Sequence, residues 1–476
     1  MSHSPTPAPS IISSINTPRD QFREWVCDVK EPWDPCILAL DGGGIRGFSS
    51  ALILKELMHQ IYLQEHELEA EEPTGDIPQS EDDLLPCHYF DFMYGTSTGG
   101  LIAVMLARLR MSIGECLQQY RLVGDKLFGH RRTIIPFMTK YRSEPLVKAV
   151  KELRNDSMLA GPAQWDEPEQ PPWDPNEPRV CQSCCLTAIH NGSVQKAHLL
   201  RSYPHSYRPE RMQSFATAYN NGADDLEIWQ VTRATSAAPF YFDMLEAVVE
   251  GEMRGHKDGG IRENNPAVAA WDEYASMYHP NMAPALLLSI GTGRTNTPPD
   301  GFMSALPWPW GHIKIFRKIA ENISVIPNLL VKYTESEGKH TEMLRYAKGE
   351  NTWYKRLNVS SGMDNMSLDS WVRGDYQDEK NVPGGASLTR MQEATDAYLS
   401  REVDRQFETF NSPKDMIKHS AEKLVRVRRA RKKLGGPRWD YFIGEGLSER
   451  MAAQTAARAA AEEAVQAARM AAPLSG

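Results

Sequence analysis

An α/β architecture, a mostly parallel sheet with helices on both faces in three layers, is predicted by three features of this 476-residue sequence. Two segments repeat the order apolar strand, glycine turn, helix, and a third apolar run ends in another glycine turn. Strands that alternate with helices pair in parallel, because each helical crossover returns the chain to the same end of the sheet. Composition agrees: 41% hydrophobic and 24% charged residues suit a folded chain with a sizeable core.

The first unit runs from Cys36 to Leu40, enters Asp41-Gly42-Gly43-Gly44-Ile45-Arg46-Gly47, and continues over Phe48–Tyr62 with helical spacing through Leu52, Leu57 and Ile61. Residues 66–83 are acidic and carry two prolines, so they read as a surface excursion. The second unit has a strand over Phe90–Tyr94, the turn Gly95-Thr96-Ser97-Thr98-Gly99-Gly100, and a helix over Leu101–Leu109. Residues 155–180, dense in Pro, Asp, Glu and Trp, read as a second insertion. Leu226–Val231 and Ala285–Ile290 are further candidate strands, the latter ending in Gly291-Thr292-Gly293. The expected domain therefore covers 34–293, behind a disordered segment, 1–33. Residues 294–476 read as a mainly helical extension, with ten Lys or Arg against two acidic residues over 414–438 and an alanine-rich helix near 446–472.

Charge and cysteine content exclude some classes. A formal net charge of -9 argues against a general nucleic-acid binder, which needs a basic face for phosphates. Seven cysteines, an odd number without a secretory leader, suit a reducing compartment. No apolar run approaches the ~18 residues of a membrane span. The expectation is a cytoplasmic protein, peripheral on intracellular membranes. The basic stretch at 414–438 is a candidate contact for anionic lipid or a nuclear signal, and a solvated helical face is the plainer reading.

The chemistry centres on Ser97, which lies in GxSxG between strand and helix. Small flanking residues allow the sharp turn that exposes a serine nucleophile. The upstream glycine turn presents backbone amides with little steric cover at the start of a helix, a suitable nest for an oxyanion. Gly42, Gly44 and Gly47 also satisfy GxGxxG, but the acidic residues of 62–83 end no strand, as a dinucleotide site requires. For the base, the histidines after the elbow include His190, His205, His256, His279 and His340. Asp258, opening Asp-Gly-Gly on a tight turn, is the better candidate if burial raises its pKa. Cys181, Cys184 and Cys185, with His190 and His205, would make a zinc set, although no second CxxC exists and buried thiols are the plainer reading.

Four motifs in order resemble the patatin-like phospholipase family over residues 36–293: Asp41 to Gly47, Gly95 to Gly100, Trp229-Gln-Val-Thr-Arg-Ala-Thr-Ser236-Ala-Ala-Pro239-Phe-Tyr-Phe242, and Asp258-Gly-Gly-Ile-Arg-Glu-Asn264-Asn265-Pro266. The resemblance implies a Ser97–Asp258 dyad, with Gly42, Gly43, Gly44 and Arg46 on the oxyanion motif and Gly47, Gly95, Gly99, Gly259 and Gly260 supporting the turns. It implies no metal and no cofactor. It implies an acyl hydrolase of phospholipids or glycerolipids, of the phospholipase A, lysophospholipase or acylglycerol lipase type, in lipid catabolism or remodelling. Gly-Thr-Ser-Thr-Gly-Gly is similar to the calcium-independent phospholipase A branch. A catalytically silent lipid-binding module and an acyltransferase on the same fold are the alternatives.

Overall fold

The structure, a computed structural model, describes residues 24–449 apart from 76, 130–138, 140, 157–178, 192, 209–211, 213–215, 223–225, 240, 250–251, 279–281, 295–324, 350–351, 365, 409–410 and 448. Most of the 155–180 insertion, most of the 1–33 segment and nearly all of the alanine-rich stretch lie outside the described residues.

In chain order the elements begin with β1 (Cys36–Leu40), α1 (Gly47–Glu71), β2 (Phe92–Thr96), α2 (Thr98–Ala103), α3 (Ile113–Phe128) and α4 (Glu144–Asp156). They continue with β3 (Gln182–Asn191), β4 (Ser193–Arg201), α5 (Ile228–Thr235), β5 (Leu245–Val249), β6 (Glu252–Asp258), α6 (Ala267–Met277) and β7 (Leu286–Ile290). Beyond residue 294 come α7 (Val325–Ala347), β8 (Tyr354–Leu357), β9 (Gly374–Tyr376), β10 (Glu379–Val382), α8 (Gly385–Ser400), α9 (Pro413–Leu434) and α10 (Pro437–Phe442).

One eight-stranded sheet has the order β5-β6-β3-β2-β1-β7-β8, with β4 paired to β3. Strands β3, β2, β1, β7 and β8 run parallel. The β4 and β6 strands run antiparallel to β3, so one flank of the sheet is mixed. Alternation along the strands separates two cores. Cys36, Leu38 and Leu40 face the α1 and α3 side, while Ile37 and Ala39 face α6. This is the three-layer sandwich expected from the sequence.

Several elements differ from expectation. The α1 helix passes Tyr62 and ends at Glu71, where Glu72 precedes Pro73 and is forced out of helical geometry. Residues 66–71 are thus helix, with Leu68 and Glu69 buried, and not surface excursion. The strand expected at Phe90–Tyr94 sits two residues later. The Leu226–Val231 run is no strand: Ile228–Thr235 is helical, started by a capping box in which Glu227 N–H donates to Gln230 Oε1 at 2.8 Å. A short apolar run reads the same way in a buried strand and a buried helix. Finally, the sheet does not stop at residue 293, because β8 adds to β7 in parallel and so belongs to the same sheet. No helix among the described residues is long and apolar enough to cross a membrane.

Candidate active site

Three parallel strands deliver glycine turns to one end of the sheet. The chain leaves β1 into Asp41 to Gly47, β2 into Ser97, and β7 into Gly291 to Gly293, with β1 lying between β2 and β7. That is a topological switch point, the place where open α/β sheets hold their ligands. Register brings in the fourth motif. Thr96 pairs with Leu186 and Thr187 with Asp258, so Ser97 and Asp258 emerge at one level, two strand spacings or roughly 10 Å apart along the backbone.

Ser97 caps the N-terminus of α2 at φ 54°, ψ -122°, a conformation costly for a residue with a Cβ, by roughly 1–3 kcal/mol. Its surroundings hold it there. Thr235 Oγ1 accepts the Ser97 N–H at 2.9 Å and donates to the Leu186 carbonyl at 2.6 Å. A Cβ on Gly95 would stand 2.3 Å from the Gly99 carbonyl oxygen, and one on Gly99 2.2 Å from that of Leu40. Glycine at both positions is therefore a steric requirement of the elbow.

Asp258 ends β6 and is 1% exposed, against 5% for Ser97. The Ala237 carbonyl accepts the Asp258 N–H at 3.0 Å, which ties the carboxylate turn to the motif after α5. Its Oδ1 accepts the Gly260 N–H at 2.7 Å, and Oδ2 has no other hydrogen-bond partner among the described residues. Burial pushes this carboxyl up to about 6, against the lowering influence of the Ser97 side chain and the Gly260 amide.

The glycine turn packs directly on the serine: a Cβ on Gly42 would lie 3.1 Å from the Ser97 Cβ. Its amides are not equivalent. Gly42 N–H donates to the Asn264 carbonyl at 3.2 Å and Gly43 N–H to Thr98 Oγ1 at 3.2 Å. The amides of Gly44 and Thr98 have no acceptor among the described residues, and both residues line one pocket with Ser97. Thr292 Oγ1 and Asn264 Nδ2 donate to the Gly42 carbonyl at 2.9 and 3.2 Å, which fixes the turn from the other side. Arg46 is buried in the same turn.

From Ser97 an apolar pocket runs between α2, α3, α4 and α5, past Leu101, Val104, Val123, Leu127, Leu146 and Leu153. The histidines are elsewhere. His205 meets Ser276 Oγ at 2.9 Å, His340 meets Tyr354 at 3.1 Å, and His256 stacks edge-on to His198. His279 lies outside the described residues. Cys184 and Cys185 point to opposite sides of the sheet, so the CxxCC cysteines do not converge, and no group of three His, Cys, Asp or Glu residues forms a metal site among the described residues.

The patatin family model, described as patatin-like phospholipase, matches residues 38–271. The chain carries a patatin-like phospholipase domain. Calcium-independent phospholipase A2-gamma of Oryctolagus cuniculus is 28% identical over 265 residues, covering 54% of this chain and 28% of that protein. Patatin-like phospholipase 1 of Plasmodium falciparum is 26% identical over 69% of this chain and 45% of its own length. A probable inactive patatin-like protein 9 of Arabidopsis thaliana is 26% identical, over 52% of this chain and 56% of its own. The chain thus spans under a third of the length of the phospholipase A2-gamma proteins it matches. The family model's match stops at residue 271, yet Thr292, Ser336, Arg356 and Leu368 all take part in holding its glycine turn or the Asn264 beside it. Sequence motifs pointed to Thr235 and Asn264 only as parts of longer strings, and to Thr98, Arg356 and Leu368 in no functional role.

Proposed function

We propose that this protein is a lipid acyl hydrolase acting through a Ser97–Asp258 dyad. The carrying observation is a buried carboxylate, raised to about 6, beside a serine strained at φ 54° that opens into an apolar pocket. Asp258 takes the Ser97 proton as Oγ attacks the ester carbonyl. The amides of Gly44 and Thr98, whose acceptors are absent among the described residues, receive the developing oxyanion, with Gly43 and Arg46 beside them. Collapse expels the alcohol, which takes the proton from Asp258, and leaves an acyl-enzyme. Asp258 then activates water to release the acid.

The pocket walls are chiefly aliphatic, which suits one fatty-acyl chain, and the four-motif order supports a phospholipid or related glycerolipid ester. Peripheral contact with a membrane follows from that substrate class. No metal takes part, so calcium chelation leaves the rate unchanged.

The test is hydrolysis of a lipid panel together with labelling by a fluorophosphonate probe. Wild type is expected to release fatty acid and take the label, while Ser97→Ala does neither. Labelling and turnover retained in folded Ser97→Ala would overturn the assignment.

A further inference from the structure

We propose that Arg356, on β8 and outside the stretch that the family model matches, is a positioning residue that sets the oxyanion turn from two strands away in the sheet. The proposal rests on the dyad reading above. Gly42, Gly43 and Gly44 have no side chains with which to anchor themselves, so the turn must be held at its flanks. On one flank Arg356 grips Asp41 with two parallel bonds, Nη1 to Oδ1 at 2.9 Å and Nη2 to Oδ2 at 2.7 Å. Both side chains are 3% exposed. On the other flank the Ile45 N–H donates to the Leu368 carbonyl at 3.0 Å.

The guanidinium is itself oriented. Nη1 also donates to Ser289 Oγ on β7 at 2.7 Å, and Nη2 lies 3.3 Å from Glu337 Oε1 on α7. Glu337 in turn accepts from Asn358 Nδ2 at 2.8 Å and pairs with Arg294 at 2.9 Å. The chain Arg294–Glu337–Arg356–Asp41 therefore runs from the surface of the later segment to the residue preceding Gly42. Such a buried pair adds little stability over an apolar packing of the same volume, but its fork fixes direction as well as distance. Oxyanion donors act only if they are held in place before the charge appears. The geometry assigns that task to residues that follow the family model's match.

The experiment compares full-length wild type, Arg356→Ala, Arg356→Lys and Asp41→Asn on a soluble short-chain 4-nitrophenyl ester. Competent sites are counted by fluorophosphonate titration and folding is checked by thermal melt. The expected result is a loss of about 10- to 100-fold in kcat per titrated site with KM nearly unchanged. Arg356→Lys, which keeps charge without the fork, should retain an intermediate rate, and millimolar guanidinium should restore part of the Arg356→Ala rate. If Arg356→Ala fails to fold, Arg356→Lys and Glu337→Gln carry the same comparison, with a smaller loss expected. A purely structural role would lower the number of titratable sites while leaving kcat per site at the wild-type value, and that result overturns the proposal. A wild type that neither takes the probe nor hydrolyses ester overturns the dyad reading, and this proposal with it.

Discussion

At the scale of single residues the site depends on opposed environments for two side chains. Ser97 is strained and placed at a helix start, whereas Asp258 is buried beside a single amide donor. Because the folded Asp258 pKa lies near 6 and its ordinary value is 3.8, the native state binds that proton more tightly than the unfolded chain. The linkage sign follows: this group lowers stability as pH rises from about 4 to about 6 and keeps it lowered above that. Asp258→Asn should therefore melt higher than wild type at pH 8 while losing about 10²- to 10⁴-fold in kcat, measured by melting curves and initial rates. In wild type the base must be ionised, so kcat should rise with pH through about 6 and level off above it, and a flat profile from pH 5 to 8 would contradict the assignment. Thr235→Val keeps the shape and removes the Oγ1 that accepts the Ser97 N–H, which should cost about 1–3 kcal/mol in denaturant titration and lower kcat.

Among the elements, the strand-to-helix turns carry the steric demands. Gly99→Ala would drive a methyl group into the Leu40 carbonyl, so loss of both activity and a few kcal/mol of stability, roughly 2–4, is expected. Gly338, exposed within α7 and with open space around it, offers the contrast: Gly338→Ala should stabilise by about 0.5–1 kcal/mol and leave turnover alone. The α2–α5 pocket gives a third outcome. Val123→Trp narrows its apolar channel on α3, so chain-length profiles should shift toward shorter acyl esters while the kcat for a butyryl ester stays near wild type.

Across the whole molecule, the later segment closes on the earlier one. The basic stretch proves to be α9, which turns much of its charge inward. Arg428 and Arg429 pair with Glu65 at 3.0 and 3.5 Å, Arg429 with Glu69 at 2.9 Å, and Arg431 with Asp91 at 2.9 Å. The expectation of a solvated or membrane-facing basic face is corrected for these residues, because the acidic face of α1 and the start of β2 receive them. Removing Arg429 should take one partner each from Glu65, which keeps Arg428, and Glu69, which keeps Thr74 and the Gly75 amide, and so lower the melting temperature. Vesicle flotation of the folded fraction should be unchanged, and a loss of vesicle binding without a fall in melting temperature would restore the membrane reading.

The local order of strands, turns and helices around Ser97 was legible because each motif is short and its chemistry depends on residue type: glycine where a Cβ would collide, serine at the elbow, aspartate at the strand end. The β3–β4 and β5–β6 hairpins were not read, since their strands mix polar and apolar residues, and the Asn191-Gly192 and Glu250-Gly251 pairs between them announce a turn only once the flanks are known as strands. The helix at Ile228–Thr235 was read as a strand because a short apolar run lacks a decisive period. By itself the sequence determined the fold class, the turns and the candidate nucleophile and base. Only the tertiary structure decided which amides remain open, how far burial raises Asp258, and that Arg356 reaches Asp41 across 315 positions. Those depend on desolvation and on contacts between distant strands, which no local pattern of residues encodes.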